Sequence, residues 1–252
     1  VVDNASNDGS VELVKKKYPQ ALLIQNKKNL GYSAGNNIGV KKAQGNYILL
    51  LNSDTQIIGD SLNIMVKSIS DHKQVGILGP RIVHPDQSPQ KSVGSFYSLA
   101  MITLAMFGGE KLGLGRHSPE KFCFADWVCG ACLMVRKEVF AEIGYLDEKL
   151  FMYMEEVEFC YRAKQKGILT AYDPKASIIH KNLGSSTSGK TDAVLNIYKG
   201  LLYFYAKYYP SWQNQMLRFV LGIKSTLLYI LGKIINNNYF ISTYGQALKL
   251  LK

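Results

Sequence analysis

The sequence predicts an α/β fold: a mostly parallel central sheet flanked by helices, with a helical tail. Three observations predict it. Apolar strand-like runs alternate with helix-period segments through the first 80 residues. The run 47–51 is continuously apolar, as in a strand buried on both faces. Asp, Asn, Ser and Gly gather where those runs end. In such sheets ligands bind beyond the carboxyl ends of the strands.

Val1-Val2 reads as the end of a buried strand already under way, so a preceding strand is expected to be missing from this chain. Residues 10–18 read as a helix and 21–25 as a strand. Residues 33–43 read as a helix of small residues, 47–51 as a strand, 61–72 as a helix and 75–78 as a strand. Between 85 and 125, Pro, Gly, Ser and Lys interrupt short apolar stretches such as 99–107. A long irregular loop or lid is expected there. Regular patterning returns at 126–180. From 193 to 252 the chain has no Asp or Glu, seven Lys or Arg, and eight of its sixteen tyrosines.

Among 252 residues, 47% are apolar and 19% charged, which excludes a disordered chain. The net charge of +11 favours an anionic partner. The basic residues are dispersed and no recognition motif accompanies them, which argues against nucleic acid. Cys129 and Cys132 form a CxxC without a second one, so a zinc ribbon is not expected. Buried thiols in a reducing compartment fit better.

Five segments carry candidate chemistry. Asp3-Asn4-Ala5-Ser6-Asn7-Asp8-Gly9-Ser10 links a strand to a helix. Turn chemistry explains most of it, but Asp3 at a strand's carboxyl end can accept hydrogen bonds from a base or ribose. Gly31-Tyr32-Ser33-Ala34-Gly35-Asn36-Asn37-Ile38-Gly39 repeats glycine every four residues along one helical face, allowing close approach of backbone or ligand. It is neither GxGxxG nor a Walker A loop. In Leu49-Leu50-Leu51-Asn52-Ser53-Asp54-Thr55 an apolar strand runs into an acidic turn, where a carboxylate can hold a divalent cation and the cation a diphosphate. In Phe151-Met152-Tyr153-Met154-Glu155-Glu156-Val157-Glu158, the pair Glu155-Glu156 opens a helix. It is either a solvated first turn or a carboxylate facing a cleft, able to take a proton from a hydroxyl. Glu158 and Arg162, four apart, read as an ordinary helix-surface ion pair. His180 ends a strand-like stretch before Lys181-Asn182-Leu183-Gly184, where a neutral imidazole can complete a metal site.

In this order and at these separations, the five segments resemble the family 2 inverting glycosyltransferases of the GT-A fold, closest to the rhamnosyltransferase-like branch. The resemblance covers roughly residues 1–190. It implies a GT-A catalytic domain over 1–190, lacking the family's first strand, and a basic, Tyr-rich helical extension over 191–252. It implies transfer of a sugar, such as rhamnose, from a nucleoside-diphosphate sugar to a hydroxyl of a cell-surface glycan or polyprenyl-linked acceptor, with Mg²⁺ or Mn²⁺. On the donor side it points to Asp3, Asn4, Gly31, Ala34, Asn37, Asn52, Ser53 and Asp54. On the acceptor side it points to Trp127, Gly130 and Ala131. Asp54 and His180 match metal-side positions, and Glu155-Glu156 matches the pair whose second member is the catalytic base. Asn52 stands in place of the first carboxylate of a DxD motif, and Glu156 in place of the usual Asp. The expected location is the cytoplasm, peripheral on the inner face of the plasma membrane. A sugar-nucleotide pyrophosphorylase and an inactive nucleotide-binding fragment are the alternatives.

Residues 217–235 carry Arg218, Lys224 and Lys233, and a lysine near a span's centre costs ~2.5–3.5 kcal/mol, so spanning a membrane is not expected. On a helical wheel Leu217, Val220, Leu221, Leu227, Leu228, Leu231, Ile234 and Ile235 share one side, and Arg218, Ser225, Thr226, Tyr229 and Lys233 the other. Packing on the catalytic domain and lying on an anionic membrane surface are both open for this helix.

Overall fold

The computed structural model describes residues 1–106, 108–109, 115–181 and 190–251. The first third follows the expected alternation: β1 (Val2–Asp3), α1 (Ser10–Lys17), β2 (Ile24–Gln25), α2 (Gly31–Lys42), β3 (Tyr47–Leu51), β4 (Thr55–Ile57), α3 (Ser61–Asp71) and β5 (Val75–Val83). The stretch expected to be an irregular loop instead holds β6 (Pro89–Gln90), β7 (Val93–Gly94), α4 (Leu99–Met106), β8 (Arg116–His117) and β9 (Cys123–Ala125). Then come β10 (Trp127–Val128), β11 (Cys132–Arg136), α5 (Lys137–Ile143), α6 (Glu155–Gln165) and β12 (Leu169–His180). The tail is α7 (Lys190–Tyr208), α8 (Ser211–Ile234) and α9 (Asn238–Leu250).

The central sheet runs β3-β11-β5-β12-β4, with β6 on β5 and β9 on β12. It is mixed, not mostly parallel. β11 is antiparallel to both β3 and β5, and β4 is antiparallel to β12. Within this sheet β5–β12 is the parallel pair, and β1–β2 form a separate parallel ladder. The reason is the order in which strands enter. β11 comes back from the 85–125 excursion and inserts between β3 and β5, pairing Cys132 with Leu51 and Met134 with Leu78. Because β11 opposes both neighbours, β3, β5 and β12 still point the same way. Their carboxyl ends lie at one edge of the sheet. β7 and β8, within the stretch expected to be loop, join β10 in a second, small antiparallel sheet.

Strand periodicity divides the interior into two layers. Cys132 and Met134 of β11 join Met65 and Ile69 of α3 on one face, while Leu133 and Val135 join Phe159 and Ala163 of α6 on the other. The second layer continues without a break through Tyr198, Leu201 and Phe204 of α7 to Leu217 and Leu221 of α8.

Glu158 departs from its expected surface role. Its side chain is fully buried, and Arg162 Nε lies 2.9 Å from its Oε1. Lys207 Nζ lies 2.9 Å and Tyr208 Oη 2.5 Å from the same oxygen, so α7 is attached to α6 through this carboxylate. Lys207 also donates to Asp147 Oδ2 at 2.7 Å. A buried carboxylate tolerates desolvation only when charge and hydrogen bonds surround it, as they do here.

The wheel expected for 217–235 also changes. Leu217, Leu221 and the nominally polar Ser225 face inward, with Ser225 Oγ 3.4 Å from Tyr198 Oη. Leu227, Leu231, Ile234 and Ile235 from the expected apolar side are exposed. The inward stripe is set by docking on α4, α7 and α9 rather than by maximal apolarity. Among the described residues, no helix is long and apolar enough to cross a membrane.

Glu158→Ala is expected to destabilise the protein by about 3 kcal/mol, because it leaves Arg162 and Lys207 without their shared counter-charge. Lys207→Met is expected to cost less, its side chain being 32% exposed. Urea unfolding of both variants checks the size and the order.

Candidate active site

Three clusters meet the carboxyl edge of the sheet. The first follows β3. Asn52 N–H donates to Ala131 O at 3.0 Å, and Thr55 Oγ1 donates to Asn52 O at 2.6 Å, closing a tight turn over Ser53 and Asp54. β4 leaves this turn and pairs with the end of β12, His180 opposite Thr55. His180 Nε2 therefore stands 3.3 Å from Asp54 Oδ1. On the ring's other side Nδ1 lies 3.0 Å from Gln90 Oε1, and Gln90 is carried there by β6. The tautomer with Nε2–H donates to Asp54, and the tautomer with Nδ1–H donates to Gln90 and leaves Nε2 a lone pair beside the Asp54 carboxylate. In the second tautomer two lone-pair donors face each other, one oriented from behind, a donor set suited to a cation.

A divalent ion fits this pair on chemical grounds. Among the described residues no cluster of three or more His, Cys, Asp or Glu exists to enclose a metal. Mg²⁺ and Mn²⁺ sites that serve phosphate substrates use one or two protein side chains and leave the remaining positions to water and phosphate oxygens. Asp54 and His180 meet that requirement, with Asn52 and Ser53 in the same turn.

The second cluster is the start of α6. Tyr153 and Met154 take left-handed conformations, φ 68° and 72°, immediately before Glu155. Such conformations cost a non-glycine residue of order 1–2 kcal/mol and persist where packing enforces them. Here packing comes from both sides. Tyr32 N–H donates to Phe151 O at 2.7 Å and Ser33 Oγ to Leu150 O at 2.7 Å. On the other side Gly200 of α7 lies so close that a Cβ would come 2.8 Å from Met154 Cγ.

The first turn of α6 is not solvated. Glu155 is buried, and one oxygen of each of Glu155 and Glu156 is buried without a hydrogen-bond partner. Burial pushes both carboxyls above their ordinary range, and for Glu155 the neighbouring Glu156 charge adds to it. Glu156 is relieved by backbone N–H groups, its own and those of Val157 and Gly130, and by the Arg116 guanidinium. Glu155 has only its own backbone N–H as relief. The pair is thus unequal: the proton is held more firmly on Glu155 and the charge more readily on Glu156. Tyr32 Oη closes this corner by donating to Gly130 O at 2.6 Å. Cys129 is raised to about 11 by burial, with Glu156 adding to the effect, which keeps it a thiol.

The third cluster surrounds β1. Both Asp3 carboxylate oxygens lie 3.2 Å from Ser6 N, an Asx turn that leaves Asp3 buried at the strand's carboxyl end. Asn4 Nδ2 donates to Gly31 O at 3.0 Å, and Asn26 Nδ2 donates to Asn4 Oδ1 at 2.8 Å. Asn4 packs so closely on α2 that a Cβ on Gly35 would sit 2.7 Å from its amide nitrogen.

Several expected site residues prove to be held inside the protein. Asn37 is 1% exposed. Its amide donates to Leu146 O at 2.9 Å and Glu148 Oε1 at 3.0 Å, and its Oδ1 accepts from Leu146 N at 3.0 Å. It clamps the segment leading to α6 instead of lining a donor cavity. Gly31, at φ 86°, is required by contact with Phe151, whose carbonyl a Cβ would approach to 2.5 Å. Trp127 is core: its ring covers Gly94, its Nε1 donates to Ser95 O at 2.9 Å, and Arg116 lies 5.3 Å from its ring centroid. Its part is to carry Arg116, not to line an acceptor pocket. Ala34 is half-buried on α2, whereas Gly130 and Ala131 are buried, Ala131 against β3 and Gly130 against Glu156, whose Cβ a Cβ there would meet at 3.6 Å.

Asp54 and His180 are brought together, and Gly130-Ala131 joins their turn to the Glu155-Glu156 pair. Asp3 and Asn4 reach this centre through α2. Residues 182–186, which follow His180 in the motif, lie outside the described residues. Gln90, Tyr32 and Arg116 were missed. Gln90 and Arg116 sit in the stretch read as loop, where no local signal marks them. Tyr32 was within a quoted motif and could have been found as its one aromatic residue.

The mixed sheet, with a turn carboxylate, a histidine and a helix-opening glutamate pair at its carboxyl edge, has the architecture of a GT-A glycosyltransferase. Comparison with known proteins agrees. The sequence model of glycosyl transferase family 2 matches residues 1–144, and the chain belongs to that family. It is 26% identical over 240 residues to an N-acetylglucosaminyl-diphospho-decaprenol L-rhamnosyltransferase of Mycobacterium tuberculosis, covering 88% of this chain and 78% of that one. It is 31% identical over 177 residues to the low-salt glycan biosynthesis hexosyltransferase Agl10 of Haloferax volcanii, covering 67% of this chain and 53% of that one. Among solved structures, GalNAc-T7 with UDP, GalNAc and Mn²⁺ shares the fold, with a TM-score of 0.58 at 18% identity. The match covers 81% of this chain and 43% of that one.

The raised carboxyl pair has a consequence for stability. In the unfolded chain these groups titrate near 4.5, and in the folded protein higher. The folded state therefore binds the extra proton, and the associated stability is present below 4.5 and is lost as pH rises through the folded-state value. Glu155→Gln is expected to flatten that decline and to raise the melting temperature at pH about 8 relative to the parent. Thermal melts across pH check it. Parallel curves for variant and parent would contradict the assignment.

Proposed function

We propose that this chain transfers a sugar, rhamnose in the reading its relatives support best, from a nucleoside-diphosphate sugar to a hydroxyl of a lipid-linked or cell-surface glycan, inverting the anomeric carbon. The observation that carries the reading is the buried glutamate pair opening α6, joined through Gly130-Ala131 to the Asp54–His180 turn. The mycobacterial relative's name gives both a rhamnose and a diphospho-decaprenol acceptor, and we carry those classes over. In this reading residues 1–190 perform the chemistry. Residues 191–252 hold the enzyme against the cytoplasmic face of the plasma membrane, where such an acceptor resides.

Glu156 is the general base. Its carboxylate, supported by Arg116 and by backbone N–H groups against the burial that raises it, takes the proton of the acceptor hydroxyl. Glu155 stays protonated beside it and prevents two buried negative charges from competing. Asp54 and His180 would hold Mg²⁺ or Mn²⁺, which when bound would neutralise the diphosphate leaving group. Mn²⁺ in the GalNAc-T7 structure supports a divalent ion. Gln90 orients His180, and Asn52 and Ser53 offer further oxygen ligands. Asp3 and Asn4 at the end of β1 contribute to the nucleotide side, and Ala34, Gly130 and Ala131 shape the wall between donor and acceptor.

Glu156→Gln is expected to lower turnover ~10²–10⁴-fold with donor affinity retained. Single-turnover transfer and calorimetric donor titration measure the two separately, and near-parental turnover would remove Glu156 from the role. Asp54→Ala is expected to abolish the Mn²⁺-dependent part of donor binding, and an unchanged titration with and without Mn²⁺ would refute the cation site. Because the base must be ionised, transfer is expected to rise with pH above the ordinary carboxylate range. Glu155→Gln is expected to leave that rise where it is, since a protonated Glu155 already carries no charge against Glu156. A pH–rate profile of variant and parent checks it, and a rise moved to lower pH would show Glu155 ionised in the parent.

A further inference from the structure

We propose that the outward face of α8 is the surface on which this protein lies on an anionic lipid bilayer, with the helix in the plane of the interface. The inference gives a specific site to the membrane location read above and rests on that reading.

Among the described residues, the face opposite the buried stripe of α8 carries the longest row of exposed large apolar side chains on any one helix. Trp212, Met216, Phe219, Ile223, Leu227 and Ile230 recur at steps of three and four, and Ile234 continues the row at 75% exposure. At ~1.5 Å per residue the row extends over about 33 Å. A helix packed on one side by Leu217 and Leu221 needs no second apolar face for folding, and in water this one exposes large groups without return. Its flanks are basic: helical spacing sets Lys233 along one border and Lys224 along the other, while Arg218 lies further round towards α9, its Nη1 3.3 Å from Leu251 O. No Asp or Glu occurs from 193 to 252.

That charge pattern selects the occupant. A second copy of the chain docked through this face would oppose basic borders to basic borders, in a molecule of net charge +11. An anionic bilayer supplies both the apolar phase for the row and counter-charge for its borders. A groove of about 940 Å³ between α8 and α9 adjoins the row. Phe219 belongs to both, and Arg218 and Lys249 line the groove, where a lipid phosphate finds cationic partners. Trp212 lies at the row's amino-terminal end, the amphipathic aromatic suited to the headgroup level.

The test is vesicle co-sedimentation of the full chain, without donor or acceptor, so that it does not depend on catalysis. Phosphatidylcholine vesicles with and without phosphatidylglycerol are compared at low and high salt. Binding is expected to require phosphatidylglycerol and to weaken with salt. The chain has two tryptophans, and Trp127 is buried, so a blue shift of emission on binding reports Trp212. Phe219→Ser with Ile230→Ser, both at exposed positions, is expected to lower the partition coefficient about tenfold or more while leaving circular dichroism and the melting temperature unchanged. Leu22→Ser, an equally exposed apolar position elsewhere, is expected to change nothing. Sedimentation with vesicles that is undiminished in the double variant would overturn the face while leaving the membrane location standing. No binding by the parent would overturn both. A dimer in sedimentation velocity that the double variant dissociates would reassign the face to self-association.

Discussion

The ladder between β3 and β11 is the constraint on which the site depends. Five register pairs, Leu51 with Cys132 through Tyr47 with Arg136, hold the carboxyl end of one strand against the start of the other. The hydrogen bond from Asn52 N to Ala131 O extends that ladder one step past the strand. It thereby joins the turn bearing Asp54 to the Gly130-Ala131 segment on which Glu156 rests. Slipping the register by one residue would turn every β11 side chain to the wrong layer of the core, so the site geometry is protected by the same burial that stabilises the sheet.

Around that ladder the protein places its charges with unequal support. Glu158 is surrounded by Arg162, Lys207 and Tyr208, and attaches the tail helices to α6. Three residues earlier on the same helix, Glu155 is buried with an oxygen left unpartnered. One carboxylate serves packing and the other is pushed up by burial and by the charge of its neighbour Glu156. The left-handed turn at Tyr153-Met154 and the clamp from α2 through Tyr32, Ser33 and Asn37 hold the second arrangement in place. The glycine-rich helix thus acts on the site largely through the segment it grips.

The tail repeats the theme of one element with two surfaces. α7 contributes its buried aromatic residues to the same core layer as the sheet, and α8 and α9 pack onto it. The residues that make α8 look singly amphipathic in sequence divide between an inward stripe and an outward row, and Ser225 goes inward with a hydroxyl partner. A helical wheel finds the positions of apolar residues but not the direction of the neighbouring helix.

What the sequence alone determined is local in origin. The run 47–51, the helices beginning at Ser10, Ser61 and Glu155, and the acidic turn at Asp54 were readable because propensity, periodicity and turn chemistry act within a few residues. The order of the motifs along the chain also makes the family readable from sequence. What tertiary structure decided is non-local: the antiparallel insertion of β11, the approach of Gln90 to His180 ninety positions away, the burial of Trp127 beneath Arg116, and the seating of Glu158 against α7. Those outcomes follow from which surfaces pack together and exclude water. That competition is settled among distant segments, so no local pattern around Gln90 or Arg116 records it.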